Sequence, residues 1–329
     1  MKISVLANTD RCSQVFKAEH IDRLCQFGKV VFNEDFEGPD EEKASVLITD
    51  ADIAITSWNC PKLTSRVLAN APDLKLVLHA AGSVKGIVSD DMWSRQIRIT
   101  NAAAALGKGV AETALGFTIS SLKNLWNLSK ITRFGGWNGQ NNTAREIYDV
   151  SIGIVGAGYA GKHLIKLLQN FDVDILVYDP TLSERECAAL GAKKSELDGL
   201  MMNSDVISIH APSIPATRHM INSDNLALMK DRAVLINTAR GTIIDEAALI
   251  NELKFGRISA CIDVTDPEPP SEFSELRNLP NVILTPHIAG SVTNGKKRIG
   301  DLILSELNSY LADGTLQYEI KPGQLSTIA

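Results

Sequence analysis

Two α/β domains, each built on a doubly wound parallel sheet, are predicted for this chain, and three observations predict them. A length of 329 residues suits two hydrophobic cores better than one. Short apolar runs alternate with helical patterns along most of the chain, as expected for parallel strands joined by crossover helices. Near the middle, an apolar run leads through a glycine-rich turn, Gly156 to Gly161, into a helical pattern.

The elements follow in order. Strands are expected at residues 3–6, 30–32, 51–55, 75–79 and 97–101, with helices near 18–26 and 62–71. From 108 to about 127 a long apolar segment (Val110-Ala-Glu-Thr-Ala-Leu-Gly-Phe-Thr-Ile) reads as a mostly buried helix leaving the first domain. Phe134-Gly-Gly-Trp-Asn-Gly-Gln-Asn-Asn142 is dense in turn formers and reads as a loop. Further strands are expected at 152–155, 175–178, 206–210, 233–237, 259–262 and 282–284. A helix near 294–313 places Ile299, Leu302, Ile303, Leu307, Tyr310 and Leu311 on one face, a period near 3.6, and returns the chain to the first domain. The expected division is 1–102 with 291–329 as one domain and 103–290 as the other, with ligands at the carboxyl ends of the strands in a cleft between them.

Composition excludes several classes. A net charge of -6 supplies no broad basic field for a polyanion, so no nucleic-acid partner is expected. Cys12, Cys25, Cys60, Cys187 and Cys261 are odd in number and scattered, without metal-ligand spacing; reduced thiols in a cytoplasmic protein, and no metal, are expected. The N-terminal Met-Lys-Ile-Ser-Val-Leu-Ala reads as a first strand rather than a signal peptide. No apolar run reaches membrane-spanning length, so no membrane partner is expected.

Each glycine of Val150-Ser-Ile-Gly-Ile-Val-Gly-Ala-Gly-Tyr-Ala-Gly161 has a separate reason to be there. Gly156 permits the tight turn, Gly158 lets the backbone approach a pyrophosphate, and Gly161 lets the next helix, expected over 162–171, pack on the strand. The N-terminus of that helix offers N–H groups and a positive dipole end to phosphates. Asp179 follows the second strand (Ile-Leu-Val-Tyr-Asp), where a carboxylate accepts hydrogen bonds from both ribose hydroxyls and repels a 2′-phosphate. The expected cofactor is NAD.

Three polar residues come directly after expected strands: Arg240 in Leu235-Ile-Asn-Thr-Ala-Arg-Gly241, Glu268 in Asp263-Val-Thr-Asp-Pro-Glu-Pro-Pro270, and His287 in Leu284-Thr-Pro-His-Ile-Ala-Gly290. Hydride transfer to a carbonyl needs a proton donor for the developing alkoxide, which an imidazolium suits. A carboxylate on the other ring nitrogen holds such a ring, and a fork-shaped guanidinium grips a substrate carboxylate while polarising the neighbouring carbonyl. Those are the expected roles of His287, Glu268 and Arg240.

With these motifs, together with Ser204-Asp-Val-Ile-Ser-Ile-His-Ala-Pro212 and Leu228-Met-Lys, the chain resembles the D-isomer-specific 2-hydroxyacid dehydrogenase family over nearly its whole length. Relatives of that kind include phosphoglycerate dehydrogenase and the glyoxylate/hydroxypyruvate reductases. The resemblance implies a Rossmann NAD-binding domain inserted into a flavodoxin-like substrate domain, a small 2-ketoacid or D-2-hydroxyacid substrate, and Arg240, Glu268 and His287 as the catalytic set. It implies that Asp263 contacts the nicotinamide carboxamide, and that Tyr159, Ala160, His210, Ala211, Pro212, Thr217, Thr238, Ala239 and Gly290 contribute to the cofactor site. It also implies a homodimer formed largely through the cofactor domains.

Departures from the family pattern bear on the substrate. The carboxylate-binding loop stands as Ala80-Ala-Gly-Ser-Val-Lys-Gly86, where the N–H groups of Gly82 and Ser83 remain suitable and Lys85 replaces the usual acid. Trp58 and His79 occupy positions where phosphoglycerate dehydrogenases carry Arg. Trp58 is expected either as core or as a wall of the substrate pocket, and without those guanidiniums phosphoglycerate is not the expected substrate. The chain is also expected to end without room for a regulatory domain. Ala103 and Leu106, in the expected loop after Asn101, stand where relatives often have Pro and Asn. A second reading, an NAD(H)-sensing corepressor or scaffold, would also keep the triad. Formate chemistry is disfavoured, because related formate enzymes carry Gln at the position of Glu268.

Overall fold

The computed structural model describes residues 1–137, 143–290 and 292–328. It divides into two compact units, one of residues 1–106 and 291–329, the other of 107–290. Part of the expected 134–142 loop, residues 138–142, lies outside the described residues, as does residue 291.

The first unit contains β1 (Lys2–Val5), β2 (Lys29–Phe32), β3 (Ile53–Thr56), β4 (Leu76–His79) and β5 (Arg98–Asn101). The second contains β6 (Ser151–Val155), β7 (Asp174–Tyr178), β8 (Lys193–Lys194), β9 (Val206–Ile209), β10 (Val234–Asn237), β11 (Ser259–Ile262) and β12 (Val282–Leu284). The chain then adds β13 (Glu319–Ile320) to the first sheet. The strand orders are β13-β5-β4-β3-β1-β2 and β12-β11-β10-β9-β6-β7-β8. Every pairing is parallel except β13 with β5, so the first sheet is not wholly parallel as expected. A two-residue edge strand shows too little alternation to be read from sequence.

Strand residues alternate between two cores in each unit. In the first sheet Ile3, Val5, Ile53, Ile55, Leu76 and Leu78 pack on one face, and Ala54, Val77 and Ile99 on the other. In the second, Ile152, Ile154, Val206, Val234 and Ile236 face one core while Val155, Ile207, Ile209, Leu235 and Ile262 face its counterpart. Helices must therefore cover both faces, which accounts for near-continuous apolar strands.

Some expected boundaries move. The helix after the glycine turn is Tyr159–Leu168, three residues earlier than its expected start, with Gly158 as N-cap. Ala103 and Leu106 are helical rather than in a loop, because Asn101 Oδ1 accepts a hydrogen bond from Ala103 N at 3.2 Å and opens the helix Ala103–Leu122 there. That helix does not run on to 127: Asn124 takes left-handed backbone (φ 52°) and a separate helix, Leu125–Arg133, follows. Short helices at Thr9–Val15 and Glu41–Leu47 escaped the periodicity reading. Seven residues show barely two turns, and the sequence marks them by their caps, Asn8 and Asp40.

Candidate active site

In the second unit the crossover direction reverses at β6, which lies between β7 and β9, and the glycine turn begins where β6 ends. Gly156 has φ +91°, and a Cβ there would lie 2.7 Å from the backbone of Ala211. The residue is thus required both by the turn and by the close pass of the β9 loop. Gly161 has the same kind of constraint, since its Cβ would meet Gly156 O at 2.2 Å.

The residues present fit a dinucleotide. A Cβ at Gly158 would meet nothing within 4 Å, so the turn is open there, and this cap glycine gives the first-turn N–H groups no side-chain acceptor. Thr238 Oγ1 and His210 Nδ1 are buried without hydrogen-bond partners among the described residues, polar atoms of the kind a bound polar ligand satisfies. His210 Nε2 lies 2.9 Å from Ser208 Oγ, and burial pushes the imidazole pKa down to about 4. Ala211 and Pro212 continue the same loop. Thr217 Oγ1 donates to Pro212 O at 2.5 Å and accepts from Ile214 N at 3.1 Å, closing it.

Asp179 stands at the end of β7, as expected, and its carboxylate is already held from within. Oδ2 accepts from Ala157 N at 2.8 Å, while Oδ1 accepts from Thr181 N and Thr181 Oγ1 at 2.9 and 2.7 Å. The acid thus fastens the glycine turn to the β7 loop, a role that sequence reading did not assign. Tyr159 and Ala160 form the first turn of the following helix, with the tyrosine exposed.

Three neighbouring strands, β10, β11 and β12, carry the polar triad in their following loops. Asn237, buried at the end of β10, shapes the first loop: its Oδ1 accepts from Ala239 N at 3.0 Å and its Nδ2 donates to Arg240 O at 2.9 Å. Burial lowers the Arg240 pKa from the ordinary guanidinium value, while the Glu268 charge acts to raise it. His287 Nδ1 lies 2.6 Å from Glu268 Oε1. Both side chains are about two-fifths exposed, so imidazole and carboxylate pair at the surface of the unit.

Asp263, expected by resemblance only as a nicotinamide contact, is held by the protein itself. It is 2 % exposed; Oδ1 accepts from Thr285 Oγ1 (2.5 Å) and Ile288 N (3.0 Å), and Oδ2 from Ala289 N (2.9 Å). His287 N donates to the Asp263 carbonyl at 2.9 Å. One buried carboxylate thus ties down the turn on which His287 sits with φ +52°, a left-handed conformation uncommon outside glycine. Gly290, half-buried, ends the turn and the unit.

In the first unit Gly82 and Ser83 follow β4 and are half-buried. His79, at the end of β4, is 3 % exposed, with Nδ1 2.9 Å from Thr56 Oγ1, and burial lowers its pKa to about 4. It is a core residue. Trp58 is half-buried against the core, and the Arg11 guanidinium lies over its ring, 5.7 Å from the centroid. Sequence reading had found no guanidinium for this position, because Arg11 reaches it from the loop-proximal helix after β1. Among the described residues no helix is long and apolar enough to cross a membrane, and no group of three or more His, Cys, Asp or Glu could hold a metal.

A glycine turn at the switch point of a parallel sheet, followed by loops that pair an imidazole with a carboxylate, defines the class of dinucleotide-binding α/β proteins. The model for the D-isomer specific 2-hydroxyacid dehydrogenase NAD binding domain matches residues 115–289. The chain is 34 % identical to a glyoxylate reductase of Thermofilum pendens over 83 % of this chain and 82 % of that one. It is 31 % identical to a D-3-phosphoglycerate dehydrogenase of Methanocaldococcus jannaschii, over 83 % of this chain and 52 % of the relative. The chain thus spans about half the length of the curated phosphoglycerate dehydrogenases it matches. Among solved structures, an acyclic imino acid reductase in complex with NADPH and D-Arg superposes with a TM-score of 0.80 at 25 % identity, covering 98 % of this chain and all of the other. The chain belongs to the D-isomer-specific 2-hydroxyacid dehydrogenase family, and its second unit is a nicotinamide-dinucleotide-binding domain.

Proposed function

We propose that the protein interconverts a 2-ketoacid and the matching D-2-hydroxy acid, with NAD(H) as cofactor. The observation that carries this reading is the 2.6 Å contact between His287 Nδ1 and Glu268 Oε1, on a turn fastened by Asp263. With Nδ1 held by Glu268, the other ring nitrogen, Nε2, is the atom that hands a proton to the substrate oxygen in reduction and takes it back in oxidation. Bound nicotinamide supplies hydride to the carbonyl carbon, or removes it from the carbinol carbon in the reverse direction. Arg240 holds the substrate carboxylate and polarises the carbonyl beside it; burial makes its charge count for more than it would in water.

Asp179 favours NAD, since a 2′-phosphate beside its fixed carboxylate would be repelled. Gly156, Gly158, Gly161, Thr238, Ala239 and His210 are proposed to line the cofactor site. In the first unit the N–H groups of Gly82 and Ser83 are proposed as carboxylate donors. Self-association is supported by the helix Leu125–Arg133, which buries none of its residues, and by Phe134 and Trp137, exposed at 83 % and 86 %. A homodimer is the assembly proposed, to be checked by sedimentation equilibrium. The five free cysteines fit a reducing, cytoplasmic compartment.

The test is a panel of 2-ketoacids with NADH and NADPH, followed at the nicotinamide absorbance, run on the wild type and on His287→Ala. Turnover with NADH that collapses in the variant supports the reading. NADH binding with no turnover of any 2-ketoacid overturns it.

A further inference from the structure

In the first sheet β1 and β3 lie side by side, while the chain leaves them in opposite directions, to β2 on one flank and β4 on the other. Beyond the carboxyl ends of such a strand pair an open α/β sheet leaves a crevice that ligands occupy. Arg11 follows β1 and Trp58 follows β3, so the two flank this switch point, with the guanidinium over the indole.

Lys296 joins them from the start of the C-terminal helical segment. Its Nζ donates to Gln14 Oε1 at 2.6 Å, and Arg11 Nη1 donates to the same oxygen at 3.1 Å. Two half-buried cations thus share one neutral acceptor, and neither has an ion-pair partner among the described residues. The nearby acid, Asp10, has its Oδ2 engaged by Gln14 Nε2 at 2.7 Å. Burial, with the Arg11 charge second, lowers the Lys296 pKa, and Asp10 only partly offsets this. Like charges held together at a half-buried site are unfavourable until an anion joins them, and a planar guanidinium beside an ammonium suits an oxyanion.

We propose that Arg11 and Lys296, walled by Trp58, form an anion subsite for a second negative group of the substrate, which makes the substrate a 2-ketoacid with a carboxylate or phosphate on its side chain. This rests on the 2-ketoacid reading above and on the Gly82–Ser83 loop, which follows β4, the strand next to β3, as the holder of the first carboxylate. It reverses the expectation, drawn from Trp58 and His79 alone, that an anionic tail finds no guanidinium here.

The experiment compares kcat/KM for oxaloacetate, 2-oxoglutarate and phosphohydroxypyruvate with that for 2-oxobutyrate, hydroxypyruvate and 2-oxoisocaproate, in the wild type, Arg11→Met and Lys296→Met. NADH affinity serves as the check on folding. Anionic side chains should be preferred by about tenfold or more, and the ratio of anionic to neutral substrates should fall by about tenfold in each variant. The carboxylate and phosphate arms tell the two anions apart. A wild type that prefers neutral side chains, or a ratio that the substitutions leave unmoved, overturns the subsite. If no 2-ketoacid is turned over, the reaction reading fails by itself, and the subsite is decided by thermal stabilisation with malonate and inorganic phosphate. Stabilisation that Arg11→Met and Lys296→Met abolish supports it; none in the wild type overturns it.

Discussion

His287 and Glu268 meet at 2.6 Å although 19 positions separate them, because they sit on the loops after two strands, β12 and β11, that are paired in parallel register. The contact occupies Nδ1 and so fixes which ring nitrogen is available for chemistry. His287→Ala should lower kcat by about a hundredfold or more with NADH affinity near normal, since the proton is needed only in the transition state. Glu268→Gln should lower kcat less, because the amide can still hold Nδ1. Stopped-flow binding beside steady-state rates separates the two effects, and unchanged turnover in His287→Ala would remove it from the mechanism.

Arg240→Gln should raise KM for every 2-ketoacid and cut kcat/KM by tens to hundreds of fold, because one charge-assisted anchor is worth about 2–3 kcal/mol. Arg240→Lys should recover only part of this, having lost the fork that spans two oxygens. Equal activity of the Lys variant and the wild type would argue against bidentate binding.

Asp179→Ala should weaken NADH binding by about tenfold or more and narrow the gap between NADH and NADPH, as charged hydrogen bonds are worth about 1.5–3 kcal/mol. The same substitution releases Ala157 N and Thr181, so a loss of thermal stability should accompany it. Wild-type protein that already uses both cofactors equally would contradict the assignment.

Asp263→Asn exchanges one acceptor oxygen for an amide, leaving either the Thr285 and Ile288 donors or the Ala289 donor unmatched. A buried donor left without its acceptor costs about 1–3 kcal/mol. Both the melting temperature and kcat should fall as the His287 turn loosens. A variant with normal kcat at reduced stability would show that the turn holds without its buried acid.

The pKa of buried His79 is lowered to about 4 in the folded protein. Between that value and the ordinary 6.5 of a histidine, the unfolded chain binds the extra proton, so stability rises with pH across this window and is lost as pH falls through it. Between pH 7 and pH 5 this one group should cost about 2 kcal/mol. Urea denaturation at the two pH values measures it, and His79→Gln should shrink the difference by that amount. An equal difference in both proteins would assign the acid sensitivity elsewhere.

Local chemistry in the chain determined much of this protein. Strand, glycine turn, helix and Asp179 are contiguous, so a nicotinamide-dinucleotide domain was legible without a fold, although the close pass of Ala211 that also demands glycine at 156 was not. Arg240, Glu268 and His287 could be singled out as candidates because each lies in the loop after an apolar strand, and parallel strands bring their carboxyl ends to one edge. What only the tertiary structure decided depends on contacts distant in sequence. Asp263 is singled out in the sequence only by resemblance, as a nicotinamide contact, and its structural role shows only when its carboxylate is seen to receive the Thr285, Ile288 and Ala289 donors. His79 reads only as a position where related enzymes carry Arg until β4 is seen buried between its neighbours. Arg11 and Lys296 stand at opposite ends of the chain with nothing local to relate them. They share Gln14 because the helical segment from Thr293 to Asp313 packs against the first helix after β1, a contact whose register only packing sets.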